Sequence, residues 1–216
     1  MAVLLSANAE NFPDANLADY DGLLAVGGNL DKQTLLNAYG KGIFPWYNED
    51  EPICWYSPDP RLVLFPAKLK ISDSMKAVLG KNEFTFSTDN DFPGVVKNCR
   101  MAKRKGEPGT WITDEIEKAY NTLYENGFAH SAEAYLNNQL VGGLYGVQLG
   151  KVFFGESMFA NKSNASKFAF IKYVQLLQKK GVELIDCQVY TRHLESLGAE
   201  LIARQYFIKL LKELIV

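Results

Sequence analysis

The stretch from His130 to Tyr190 constrains the fold more than any other part of the chain, because its turn signals fall between runs of different period. His130–Tyr135 alternates in the manner of a strand, Asn137-Asn138 is a hairpin signal, and Leu140–Gln148 reads as the return strand. Gly150 turns the chain again into the apolar run Val152–Met158. A helix is predicted from Ser163-Asn164 to Gly181, burying Phe168, Ile171, Val174 and Leu177 at helical spacing. A strand over Val182–Tyr190 and a helix over Phe207–Leu214 follow.

Three antiparallel strands, a helix, a strand and a helix make up the second half of an acetyltransferase-like (GNAT-like) mixed-sheet sandwich. Upstream, Asp21-Gly22, Gly27-Gly28-Asn29 and Pro45, Pro52, Pro58, Pro60 and Pro66 break the chain repeatedly. They leave one short helix, from an Asp31 N-cap through Leu35, Leu36 and Tyr39 to Gly40 or Gly42. Helices are predicted over Ser72–Leu79 and over Phe92–Lys103, the latter with Pro93 in its first turn. Thr113 caps an amphipathic helix that presents Ile116, Ala119, Tyr120 and Leu123 on one face and stops at Gly127. The expected class is α+β / α/β: a small N-terminal α+β domain over residues 1–62, then the sandwich over residues 63–216.

Hydrophobic residues at 47% and charged residues at 22% are those of a globular protein. Met1–Ala9 has no basic n-region and no long apolar core, and no run approaches the roughly 20 apolar residues of a spanning helix. A cytoplasmic protein away from the membrane is expected. Cys54, Cys99 and Cys187 form no CxxC pair, and only His130 and His193 are available as imidazole ligands, so neither a disulfide framework nor a metal is expected. The net charge of −2 argues against a protein that coats nucleic acid indiscriminately. Yet Lys97, Arg100, Lys103, Arg104 and Lys105 crowd one short segment, which is either a solvated helix face or a surface for phosphates.

Two buried-looking carboxylates carry the candidate chemistry. Asp186 and Gln188 sit on a strand whose other positions are apolar, and period two puts them on one face with Cys187 on the other. Such a pair is either hydrogen-bonded within the core or facing a cleft. Glu156 lies in Phe153–Phe159; it either meets Asp186 in one cleft or ends a strand at the surface. The Gly155-Glu156-Ser157-Met158-Phe159 run lacks the second glycine of a nucleophile elbow. Cys187, with no basic neighbour on its own face, reads as packing rather than as a nucleophile. Trp46 and Trp111 lie in loop segments rich in Gly and Pro, where they serve either a core or a base-stacking platform. Asn161–Ser166, where an acyl-CoA enzyme needs a Gly-rich pyrophosphate loop, has no glycine, and no cofactor is expected.

Taken in order, Gly42-Ile-Phe-Pro-Trp46, Trp55-Tyr-Ser-Pro-Asp-Pro-Arg61, Gly109-Thr-Trp-Ile-Thr113, Gly142-Gly-Leu-Tyr-Gly146, Gly155-Glu-Ser-Met-Phe159, Asn164-Ala-Ser-Lys167 and Leu184-Ile-Asp-Cys-Gln188 resemble the successive signatures of bacterial leucyl/phenylalanyl-tRNA–protein transferases. The resemblance implies transfer of Leu or Phe, and less readily Met, from aminoacyl-tRNA to proteins beginning with Arg or Lys, an N-degron reaction that marks them for degradation. It implies Trp46 and Trp111 stacked on the terminal adenosine, and Phe153, Ser157 and Met158 around the aminoacyl group. Asp186, Gln188 and Glu156 would act at the reacting end, where a carboxylate such as Asp186 need only hold the ammonium and accept or relay its proton while Gln188 aligns the nucleophile. Lys97, Arg100, Lys103, Arg104 and Lys105 would bind tRNA, and a monomer is expected. Two departures stand out. Phe154 replaces a commonly smaller residue and is expected to bear on pocket shape; the chain also stops at Val216, leaving any contact of longer members' C-terminal tails in question.

The rival readings are another acyltransferase on the same sandwich, using acyl-CoA or aminoacyl-tRNA, and a non-enzymatic tRNA-binding protein. Aminolysis of an ester is downhill, so the family reaction needs a neutral amine held near the carbonyl rather than an energy source.

Overall fold

Asn137 and Asn138 adopt φ of 50° and 63°, the positive values that a tight two-residue hairpin demands, so the sequence's strongest turn signal is the turn that forms. The structure is a computed structural model that describes residues 2–6, 11–102 and 110–215. In chain order, β1 (Val3–Leu5), β2 (Leu23–Gly27), α1 (Lys32–Gly40), β3 (Phe44–Pro45) and β4 (Cys54–Tyr56) form an N-terminal unit around a four-stranded sheet of order β1-β2-β4-β3. Then come β5 (Arg61–Leu64), α2 (Asp73–Gly80), β6 (Thr85–Thr88), α3 (Phe92–Met101), α4 (Asp114–Glu125), β7 (Ala129–Leu136), β8 (Gln139–Leu149) and β9 (Val152–Ala160). The chain continues through α5 (Ala165–Lys179), β10 (Leu184–Gln188), α6 (Arg192–Ser196), β11 (Glu200–Ile202) and α7 (Arg204–Leu214). The large sheet has the order β11-β5-β10-β9-β8-β7-β6, and β10 runs parallel to β9 while the other pairs are antiparallel.

This is the expected small α+β unit followed by the mixed sheet of the expected sandwich. Strand alternation divides the large sheet between two cores. Val63, Tyr145, Val147, Val152, Phe154 and Leu184 join α1, α3, α4 and α7 on one side. Leu62, Leu144, Phe153 and Ile185, each adjacent in sequence to one of those, join α2 and α5 on the other. The helix caps follow from composition: Thr113 Oγ1 accepts from Ile116 N at 3.2 Å, and Asp91 Oδ1 accepts from Gly94 N at 3.0 Å. Phe168, Ile171, Val174 and Leu177 are buried, as the spacing of α5 requires.

Seven strands go beyond the sequence expectations: β1, β2, β3 and β4 of the small sheet and β5, β6 and β11 of the large one. β5 and β11 have four and three residues, too few to show a period, and their pairing partners lie more than a hundred residues away. The division expected between residues 62 and 63 falls inside β5. No helix among the described residues is long and apolar enough to cross a membrane.

Candidate active site

The cleft arises where two neighbouring strands stop pairing. β9 and β10 are in register from Leu184 opposite Val152 to Asp186 opposite Phe154. Immediately beyond, β9 bulges: Gly155 pairs with Gly146 and Ser157 with Tyr145, which leaves Glu156 as the extra residue. β10 is irregular at the same level, its register against β5 shifting between Asp186 and Gln188, and Gln188 takes a φ of 61°. A left-handed non-glycine residue is uncommon and tends to mark a functional constraint. The two irregularities face each other, and Gln188 Nε2 donates to Glu156 Oε1 at 2.9 Å.

Asp186 is fully buried and already supplied with donors. Arg61 Nε reaches Oδ1 at 2.8 Å and Nη2 reaches Oδ2 at 2.7 Å, a bidentate pair. Oδ1 also accepts from the Gln188 backbone N at 2.9 Å, which ties Asp186 to the left-handed turn of its neighbour. The Arg61 guanidinium lies 4.8 Å from the Phe44 ring centroid and 4.7 Å from that of Phe207, so both its faces are dry. Cys187 packs against the second core, and burial, followed by the charge of Asp186, pushes its thiol pKa up. It is a thiol in a packed position, as its place in the strand suggested.

Glu156 is supplied differently. Tyr39 Oη of α1 donates to Oε1 at 2.8 Å, Tyr120 Oη of α4 donates to Oε2 at 2.9 Å, and the two hydroxyl oxygens are in contact with each other. Burial is the largest influence on this carboxyl and raises its pKa; the Asp186 charge raises it too, while the bonds from Tyr39, Tyr120 and Gln188 pull it down. The balance sits at about 7. Burial and the Glu156 charge push both tyrosine pKa values up, so their hydroxyls stay protonated donors.

Around these groups is a cleft of about 350 Å³, near the lower end of the roughly 300–1,000 Å³ usual for small-molecule sites. Leu144, Phe153, Met158, Phe170 and Ile185 make one end apolar; Glu156, Ser157, Asp186 and Gln188 line the polar part; Trp46 and Trp111 also line it. Trp46 is 45% exposed and rests edge-on against Tyr56, 5.6 Å between ring centroids. It is fixed by its backbone N, which donates to Cys54 O at 2.9 Å across the β3–β4 hairpin. Trp111 is half-buried and precedes the Thr113 cap of α4.

All eight residues expected in the centre, Trp46, Trp111, Phe153, Glu156, Ser157, Met158, Asp186 and Gln188, thus line one cleft. Phe154 does not. It is buried on the opposite face against Tyr39, at 5.0 Å between centroids, so its size bears on the cleft only through that tyrosine. In the basic run, Lys97 is exposed on α3, whereas Arg100 pairs with Asp114 and, at 3.1 Å, with Glu117; neither lines the cleft. Lys103, Arg104 and Lys105 lie outside the described residues.

Sequence reasoning missed Arg61, Tyr39 and Tyr120 as parts of the site. The signal for Arg61 was its position at the end of the Pro58-Asp59-Pro60 turn, followed at once by the apolar run Leu62–Phe65. The two tyrosines sat on apolar helix faces, and nothing in helical periodicity distinguishes a core aromatic from one whose hydroxyl reaches a carboxylate.

The chain matches the family model described as leucyl/phenylalanyl-tRNA protein transferase over residues 63–212, and the model for that family's N-terminal domain over residues 28–59. It is 54% identical over 204 residues to a leucyl/phenylalanyl-tRNA–protein transferase of Christiangramia forsetii, covering 94% of this chain and 96% of that one. To the protein of the same name from Flavobacterium johnsoniae it is 51% identical over 201 residues, covering 93% and 95%. Among solved structures it resembles FemX with a TM-score of 0.51 at 11% identity, over 83% of this chain and 70% of that one, a likeness of fold alone.

Proposed function

This chain belongs to the leucyl/phenylalanyl-tRNA–protein transferase family, and from that premise we propose that it moves Leu or Phe, and less readily Met, from aminoacyl-tRNA to the α-amino group of proteins beginning with Arg or Lys, marking them for degradation. It is an aminoacyltransferase that acts on protein with tRNA as donor. The observation that carries the finer reading is the single cleft in which an apolar chamber, two indoles and a carboxylate–amide pair converge. The chamber suits an apolar side chain and should select imperfectly, because one methylene in such a pocket is worth only about 1–3 kcal/mol. Trp46 and Trp111 are assigned to the adenine of the donor's 3′ end, and Phe153, Ser157 and Met158 to its aminoacyl group. Residues 1–62 bring Trp46 to the centre, and residues 63–216 bring the reacting groups.

At the reacting end the three polar residues take separate tasks. Both oxygens of Asp186 already accept protein donors, so Asp186, expected from the sequence to hold the ammonium, is assigned instead to positioning Gln188 through its backbone N. Gln188 orients the attacking amine. Glu156 holds the ammonium and takes its proton, for which an acid near 7 is well matched to an α-amine of pKa about 8. Orientation of amine and ester lowers the barrier by several kcal/mol without metal or nucleotide hydrolysis, up to roughly 7–11 in ideal cases. The run Lys97–Lys105 is assigned to the tRNA backbone, and the protein to the cytoplasm as a monomer.

The test is incubation with leucyl-tRNA and a peptide starting with Arg, read by mass. Addition of one Leu to the α-amine is expected, with little addition to the same peptide starting with Glu. No product, or equal product with both peptides, would refute the assignment.

A further inference from the structure

Glu156, Tyr39 and Tyr120 form a closed triangle of polar groups. Tyr39 Oη is 2.8 Å from one carboxylate oxygen, Tyr120 Oη is 2.9 Å from the other, and the two hydroxyl oxygens are in contact. Each edge accommodates one proton. When Glu156 is ionised, both hydroxyls donate to it and Gln188 Nε2 adds a third donor at 2.9 Å, which leaves the contact between the two hydroxyls without a proton. When Glu156 is protonated, its own proton turns to Tyr39, the Tyr39 proton to Tyr120, and the Tyr120 proton to the second carboxyl oxygen, which fills all three edges. Because a hydroxyl both donates and accepts, the same two side chains satisfy either state. A half-buried carboxyl thereby changes protonation without leaving a polar atom unpaired, the condition that ordinarily opposes it.

The other polar or titratable groups facing this triangle are few. β10 contributes Asp186, Cys187 and Gln188; the Asp186 charge is matched by Arg61 of β5. α6 contributes His193, which lines the same cleft and whose pKa is lowered by burial and then by the Lys167 charge. β8 contributes Tyr145, whose ring meets that of Tyr120 edge-on at 5.4 Å. We propose that Tyr39 and Tyr120 are positioning residues that make Glu156 a reversible proton-holding site, loaded by the acceptor ammonium as it attacks the aminoacyl ester. This rests on reading the cleft as the transfer centre. The ammonium gives one proton to Glu156, the C–N bond forms, the ester C–O bond breaks, and a second nitrogen proton leaves with the ribose oxygen. Ammonium, ester and carboxylate become amide, alcohol and carboxylic acid, and water unloads the acid afterwards.

The experiment is the pH profile of kcat/KM, with aminoacyl-tRNA and a peptide starting with Arg, for the wild type, Tyr39→Phe and Tyr120→Phe. Each hydroxyl supplies a bond that favours the ionised carboxylate, so its loss should move the acid limb upward by about one pH unit, with the rate largely recovered at high pH. Rates lowered equally at every pH, with the limb unmoved, would show that the hydroxyls only pack, and would overturn the proposal. Isotope-edited infrared spectra of the unsubstituted protein, compared with Glu156→Gln, give a second measurement that no folding failure of the tyrosine variants affects. A protonated-carboxyl band belonging to Glu156 should vanish on passing through about pH 7; its absence at every lower pH would also overturn the proposal. A Glu156→Gln protein with unchanged transfer would remove Glu156 from the reacting end and overturn the proposal, whereas no transfer by the unsubstituted protein would sink the functional assignment itself.

Discussion

Removing the Asp186 side chain strands a guanidinium between the Phe44 and Phe207 rings, where water does not reach it. Breaking one side of a buried pair typically costs about 3–5 kcal/mol, so Asp186→Ala should lose stability on that scale as well as transfer activity. Asp186→Asn keeps an acceptor for Arg61 and for Gln188 N and should fold more stably than the alanine variant while transferring slowly; denaturant titration beside single-turnover rates checks both. The sequence pattern put Asp186 on a shared face with Gln188, but its partner lies 125 residues earlier, and only the pairing of β10 with β5 brings it there. Glu156 behaves in the opposite sense. Its folded pKa, about 7, is above that of an exposed glutamate, so it contributes stability fully below the unfolded value and loses it as pH rises through 7. Glu156→Gln should therefore gain roughly 1–3 kcal/mol relative to the parent between pH 5 and pH 8, a difference that melting curves at the two pH values would reveal. Trp111 is a third test at this scale. Stacking on an adenine is worth about 1–3 kcal/mol, so Trp111→Ala should lose that much in use of a minimal aminoacyl-adenosine donor, and Trp111→Phe should keep much of the activity. A large fall in melting temperature, with normal use of the minimal donor by the folded fraction, would make Trp111 a core residue instead.

Elements with many residues and local caps were legible: α4 and α5, and the β7–β8 hairpin, lie within a residue or two of where composition puts them. What escaped was the departure from regularity that builds the site. A period-two reading of β10 places Asp186 and Gln188 side by side, whereas the register shift and the 61° φ of Gln188 turn its amide across to the bulge at Glu156. Both irregularities depend on neighbouring strands, to which an alternation pattern is blind. α3 poses a different question, because charge on a helix reads the same whether it meets phosphate or water. Arg100 is held by Asp114 and Glu117 from α4, which leaves Lys97 as the exposed cation of that pair of residues. Replacing Lys97, Lys103, Arg104 and Lys105 by Ala should weaken binding to tRNAs of different sequence alike and flatten the dependence of affinity on salt. An unchanged salt slope would return the run to a solvated face.

On the scale of the whole molecule, the two sheets share a core. Leu24, Ala25 and Trp55 of the small sheet and Val63, Val152 and Leu184 of the large one belong to one buried cluster, closed by Phe207 and Leu211 of α7. Arg204 adds polar ties: its backbone N donates to Asp59 Oδ1 at 3.0 Å, and its Nη1 to Ser57 O at 2.5 Å. The cleft is assembled the same way, with Trp46 and Tyr39 coming from the N-terminal unit and Glu156 and Gln188 from the large sheet. A composition shift near residue 60 marks two styles of sequence without marking two independent cores, since shared burial leaves no trace in local pattern. Cooperative unfolding follows from shared burial. Calorimetry on the whole chain should show one transition with matching calorimetric and van't Hoff enthalpies. A fragment of residues 63–216 would expose Val63, Val152 and Phe207 to water and remove one of the two hydroxyls from Glu156. It should melt without a cooperative transition. Two separable transitions in the whole chain, or a fragment that melts sharply and still transfers Leu, would show that the small sheet is an appendage and that the reacting groups hold their geometry without it.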